Sequence, residues 1–118
     1  VRQLQATKKE REATARRLVE VKDQIEEQVK NKWNGLLVAH QSATLLVSKT
    51  IIAQELLKHT REERDLGRRS LMDVLAQETK LINTLSEAVA AETNTVSKAY
   101  ELLEAIGRLD LEWLSQSF

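Results

Sequence analysis

The sequence predicts an all-α protein built around one long antiparallel helical hairpin. Three observations carry this. No proline occurs in 118 residues and glycine stands only at 35, 67 and 107, so very little in the chain breaks helices. Apolar residues return at helical spacing on both sides of Gly67. Between those two stretches lies Leu66-Gly67-Arg68-Arg69, a glycine among charges, where the chain can reverse. The bulk of the composition is Ala, Leu, Glu, Lys, Arg, Gln, Val and Thr, which favours long helices. The only aromatics are Trp33, Tyr100, Trp113 and Phe118, too few for a thick core, so a thin packing is expected.

The first helix is expected from about residue 3 to 64. Leu18, Val21, Ile25, Val29, Trp33, Leu36, Ala43, Val47 and Ile51 form a stripe at spacings of three and four. Before about Ala13 the chain is too polar to be held by burial, and fraying is expected there. Pairs one turn apart, Lys8 with Glu12, Glu12 with Arg16 and Glu26 with Lys30, support the early helix. Gly35 lies inside the stripe at a cost of about 1 kcal/mol against alanine. It either permits a close approach or marks a mild bend. After Leu57 the stripe gives way to Lys58-His59-Thr60-Arg61-Glu62-Glu63-Arg64-Asp65, a charged approach to a turn over residues 65–69.

Gly67 supplies the left-handed backbone that a helix end often needs. Ser70 can cap the next helix, with Asp73 at its third position completing a capping-box-like pair. That second helix is expected over about 70–106, roughly 55 Å at 1.5 Å per residue, with Gly107 as its end. Leu75, Ile82, Val89, Val96 and Leu103 recur every seven residues, with Val74, Leu81, Ala88 and Leu102 beside them. The period is nearer 3.5 than 3.6, as in a coiled coil, and the first row is assigned as the hairpin seam. A short helix over 108–116, with Leu109, Leu111, Trp113 and Leu114, would fold against something. Without a partner, Trp113 and Phe118 would be exposed anchors.

Residues 1–69 carry 15 basic and 10 acidic side chains, and residues 70–118 carry 3 and 8. The two halves attract when folded back on each other and offer no net-basic footprint for nucleic acid. The basic cluster Lys8-Lys9 with Arg11, Arg16 and Arg17 is interleaved with Glu10 and Glu12 and reads as a solvated helix face. The apolar run Leu36–Leu57 contains His40, Gln41, Lys49, Gln54 and Glu55, which argues against a transmembrane helix. The absence of cysteine excludes disulfides and thiolate metal sites and leaves the compartment open. Val1-Arg2-Gln3-Leu4 has no signal pattern and reads as helix interior, as in a piece of a larger protein.

Catalytic chemistry is not expected. His40 and His59 are nineteen residues apart on one helix, about 28 Å, too far to share a metal or a proton. Glu78 and Glu92 are about 21 Å apart with no Glu-x-x-His motif beside them. No phosphate-binding glycine loop or nucleophile elbow occurs. Neither a metal nor a cofactor is expected.

The segment Gly67-Arg68-Arg69-Ser70-Leu71-Met72-Asp73-Val74-Leu75 resembles the G-x-x-S/T-x-x-D-hydrophobic-Leu signature at the periplasmic tip of TolC-family outer-membrane channels. Leu81, Ala91, Tyr100, Leu102, Leu103, Ala105, Ile106, Gly107 and Leu109 are similar to that family's returning helix and its A-hydrophobic-G-x-L ending. The resemblance spans roughly residues 20–114 and points to members serving type I secretion. Arg64 stands where the family often has an aromatic, and Gln77 where a small residue is common. The membrane strands and the second hairpin of the family's internal duplication are absent from this chain.

The resemblance implies a hairpin that forms part of an α-helical barrel in a homotrimer at the periplasmic side of the outer membrane, this segment not itself membrane-embedded. Leu66, Gly67, Arg68, Arg69 and Ser70 would meet a periplasmic adaptor (membrane fusion) protein, with an inner-membrane transporter as further partner. The duct would conduct exported proteins or drugs. The alternative is an adaptor-type or generic coiled-coil hairpin scaffold, which would show the heptads without the turn motif and the later I-G-x-L ending.

Overall fold

A computed structural model describes residues 1–117. It contains two helices, α1 (Arg2–Asp65) and α2 (Leu71–Ser117), joined by a tight turn into an antiparallel hairpin. The all-α hairpin expected from the sequence is therefore present. The chain divides into two compact units, Gly35–Ala99 at the turn end and Val1–Asn34 with the C-terminal part of α2 from Tyr100.

In the Gly35–Ala99 unit each helix buries one row of residues spaced alternately by three and four. On α1 the row is Ala39, Ala43, Leu46, Thr50, Ala53, Leu57 and Thr60; on α2 it is Val74, Gln77, Leu81, Thr84, Ala88, Ala91 and Thr95, all buried or half-buried. This is the 3.5-residue period of a two-stranded coiled coil, occupied largely by small side chains. Alanine at a seam position lets the backbones approach closely, and threonine is tolerated because its hydroxyl can bond within its own helix. Thr50 donates to the Leu46 carbonyl at 2.9 Å and Thr60 to the Leu56 carbonyl at 2.7 Å.

This corrects the expected seam. Leu75, Ile82, Val89, Val96 and Leu103 are between 44% and 62% exposed, whereas Val74, Ala88 and Leu102 are buried and Leu81 and Thr95 half-buried. The heptad period is as expected, but the buried row lies one residue earlier. Two adjacent rows share that period, and the one with smaller side chains takes the close contact. The larger row stays outside. The same holds on α1, where Ala39, Ala43, Thr50 and Ala53 are buried while Trp33, Val47 and Ile51 are exposed.

The second correction concerns Gly107. No separate segment over 108–116 exists, because α2 continues through Gly107 to Ser117. A helical glycine costs about 1 kcal/mol, and the seam row carries on past it through Leu102, Ala105, Leu109 and Glu112, all buried or half-buried. In this unit Lys32 Nζ meets Glu101 Oε2 at 3.1 Å, and Lys22 Nζ stands 5.5 Å from the Trp113 ring centroid. Trp113 thus has a cationic partner from α1 while staying largely exposed. Phe118 lies outside the described residues.

Helix α1 is continuous from Arg2, with residues 1–20 all exposed. Glu12 pairs with Arg16 at 3.9 Å, and Glu26 pairs with Lys22 at 4.0 Å where Lys30 was expected. By length and composition α1 holds a window apolar enough to cross a membrane, with mean hydropathy 1.4. At Gly35 nothing lies within 4 Å of where a Cβ would stand. Among the described residues none makes the close approach considered for that glycine.

The seam assignment predicts opposite outcomes for two substitutions of similar size. Leu57→Ala, in the buried row, should cost about 2–3 kcal/mol in urea unfolding, whereas Ile82→Ser, in the exposed row, should stay within about 0.5 kcal/mol. Equal losses would place both rows in the seam. Gly35→Ala should raise stability by roughly 0.5–1 kcal/mol, because the position is helical and uncrowded; a loss measured on the same chain would show that a neighbour needs the glycine.

Candidate functional site: the hairpin tip and an exposed apolar row

The tip is assembled by backbone bonds that span only a few residues. At the end of α1 the Gly67 N–H donates to the Arg64 carbonyl at 2.9 Å and the Arg68 N–H to the Glu63 carbonyl at 2.8 Å. Gly67 has φ +76°. This is a Schellman motif, in which a left-handed residue turns its own and the next N–H back onto the last carbonyls of the helix. Helix α2 begins with a reciprocal pair. The Ser70 N–H donates to Asp73 Oδ2 at 3.0 Å, and the Asp73 N–H donates to Ser70 Oγ at 3.3 Å. Asp73 thus takes the role that glutamate has in the usual capping box. Its carboxyl is held below the usual carboxylate range by the Ser70 N–H first, then the Ser70 hydroxyl, with a smaller push from the Arg69 charge.

Two ion pairs flank the turn. Arg69 Nε lies 2.7 Å from Glu63 Oε2, and this bond holds the Arg69 guanidinium still more firmly in its charged form. Arg61 reaches across the hairpin to Glu78 Oε1 at 2.8 Å. Both pairs are solvent-exposed, where such contacts contribute little to stability. Arg64 and Arg68 make no ion pair among the described residues, which leaves them as the available cations of the tip.

Of the five sequence-assigned tip residues, the turn brings all five into one exposed stretch with distinct roles. Leu66 is 67% exposed. Gly67 and Ser70 close the two helices, Arg69 is engaged by Glu63, and Arg68 is open. The structure adds Leu71 and Met72, the latter 73% exposed, which put two further apolar side chains beside Leu66 in the chain. The signal for them was present in the sequence: apolar residues directly after an N-cap sit ahead of the seam's first position, Val74, and have nothing to pack on.

Behind the tip, Leu75, Ile82, Val89 and Val96 form an exposed row along α2, and Val38, Leu45 and Ile52 repeat at the same seven-residue interval on α1. Solitary exposed apolar residues are ordinary, but aligned rows of them mark contact surfaces. His59 stands between Glu55 and Glu62, with its two ring nitrogens 3.9 and 3.6 Å from different carboxylates. These three do not converge on one point, and no group of three or more His, Asp or Glu with metal-ligand geometry occurs among the described residues.

The tip geometry yields two predictions. Ser70→Ala should cost about 1 kcal/mol, and Gly67→Val about 1 kcal/mol or more. The space around Gly67 is open, so the second cost arises from the positive φ alone, and D-alanine introduced there should be tolerated. The second prediction concerns pH. Because the folded state lowers the Asp73 pKa, the stabilisation is complete above the ordinary aspartate value near 4 and is lost as pH falls through the lower folded value. Acid titration of Asp73→Asn should show a flatter loss of stability below about pH 4 than the unsubstituted chain; identical acid limbs would remove the cap from the account.

No protein-family model matches the chain, and no solved structure matches it. The outer membrane efflux protein BepC of Brucella suis biovar 1 (strain 1330) is 32% identical to it over 94 residues, which is 80% of this chain and 21% of that protein. The chain therefore spans about a fifth of the length of this relative. Over the matched residues the chain is thus similar to a segment of an outer-membrane efflux protein.

Proposed function

We propose that the chain is a periplasmic wall segment of an outer-membrane export channel, with no catalytic role of its own. The observation that carries this reading is the exposed row Leu75, Ile82, Val89 and Val96, which follows a heptad period yet is left uncovered by the hairpin. A coiled-coil row needs a facing helix. A barrel of hairpins standing side by side would supply one, and a homotrimer is the assembly in which this segment would line a passive duct. At its end, Leu66, Leu71 and Met72 offer an apolar contact edged by Arg64 and Arg68, which form no ion pair among the described residues. That combination suits an adaptor's helix ends with exposed acidic or carbonyl groups. An inner-membrane transporter would drive the exported protein or drug, consistent with the lack of a phosphate-binding glycine loop in the sequence.

The test uses the full-length protein. Leu66→Asp and Arg68→Glu should each reduce recovery of adaptor in a pull-down, and export with it, by about tenfold or more. Arg11→Glu, on an exposed face far along α1 from the tip, should leave both unchanged. Arg68 is substituted in preference to Arg69 because Arg69 is already paired with Glu63. Val89→Asp should reduce the amount of assembled trimer while leaving the fold of this chain intact. Tip variants that reach the membrane and perform like the control would defeat the docking proposal, and a fully assembled Val89→Asp trimer would defeat the barrel.

A further inference from the structure

We propose that the tip-proximal turns of the hairpin, from Thr60 to Gln77, open as a unit of their own while the seam behind them stays closed. The observation is a polar layer set into the seam. Gln77 occupies a seam position between Val74 and Leu81, and its side-chain oxygen is buried without a hydrogen-bond partner. Thr60 is buried on the facing helix, and its hydroxyl proton is committed to the Leu56 carbonyl at 2.7 Å. The two residues share a level, because the residues after them, Arg61 and Glu78, form the cross-hairpin ion pair at 2.8 Å. Thr60 therefore has no proton to offer the Gln77 oxygen.

A buried amide oxygen without a donor has given up its water and received nothing in return. Opening restores that hydration, so this layer favours the open form where an apolar layer would oppose it. On the tip side of the layer, Val74 is the one buried apolar side chain. Leu66, Leu71 and Met72 are exposed and add no cohesion. What else ties the tip together is its local capping bonds and two exposed ion pairs, Arg61 with Glu78 and Arg69 with Glu63, which salt screens. On the other side the first apolar layer is Leu57 with Leu81, which border the same groove, followed by the alanine-rich rows. The weak and strong stretches meet at a definite boundary, as expected for a locally unfolding unit. In the open form residues 60–77 become a loop whose ends remain clamped at Leu57 and Leu81. The inference does not depend on the channel reading.

Native-state hydrogen exchange, read peptide by peptide on the whole 118-residue chain, tests it. Amides of residues 61–76 should exchange at least about tenfold faster, relative to their intrinsic rates, than those of residues 39–57. Raising the salt to about 0.5 M should accelerate the tip amides alone. Gln77→Leu, which replaces the orphaned amide with an apolar side chain of similar size, should slow tip exchange by about tenfold and leave residues 39–53 unchanged. Glu78→Gln, which removes the cross-hairpin pair, should speed it. Tip and seam amides exchanging together, a uniform effect of Gln77→Leu along the chain, or no effect of it at the tip would each overturn the proposal.

Discussion

Everything in the turn-end unit follows from the close contact of small side chains along one row of each helix. Ala39, Ala43 and Ala53 on α1 meet a complementary row with Ala88 and Ala91 on α2. Alanine contributes little burial per residue, so the contact is thin and its stability depends on length more than on any one layer. A row of leucines would bury more but hold the backbones further apart. The small-residue seam thus exchanges cohesion per layer for proximity, and it leaves the larger aliphatic side chains on neighbouring faces. The exposed rows on α1 and α2 are the counterpart of that choice.

Leu57 with Leu81, and Leu46 further back, are the exceptions that give the seam its firmest layers. Between them and the tip stands the Thr60–Gln77 layer, and in the other unit the seam takes in the Lys32–Glu101 pair. Polar groups placed in a narrow seam specify which residues can face each other more than they add stability. The hydroxyls avoid a penalty by bonding back to the carbonyl four residues earlier, as Thr50 and Thr60 do. The amide of Gln77 has no such route within its helix.

The turn was legible because its determinants are local: a left-handed glycine, a serine cap and an aspartate three residues on act within one or two turns of backbone. The helices were legible because proline is absent and the apolar period is sustained. The seam was read one residue late for a reason that sequence periodicity does not resolve. Leu75, Ile82, Val89, Val96 and Leu103 repeat every seven residues, and so does the row starting at Val74. Ranking rows by hydrophobicity favours the larger residues, whereas the contact in this hairpin is taken by the row with more small ones. Gly107 misled in a similar way. Glycine is as much a helix residue of modest cost as a helix stop, and the continuing seam through Leu109 decides between them. At the tip, Arg68 and Arg69 are equivalent in sequence, and only the folded geometry shows which guanidinium Glu63 engages.

The two helices also differ in charge. Helix α1 carries 13 basic and 10 acidic side chains, and α2 carries 3 and 8. Copies meeting through α2 alone about a two-fold axis would set its acidic side chains against each other. Copies meeting in one rotational sense would set the α1 of one against the α2 of the next, each contact between unlike charges and between one exposed apolar row and the other. Electrostatics therefore disfavours α2 packing on α2 and favours contacts that set the α1 of one copy against the α2 of another. The bias is strongest at low ionic strength and shortens in range as the Debye length falls.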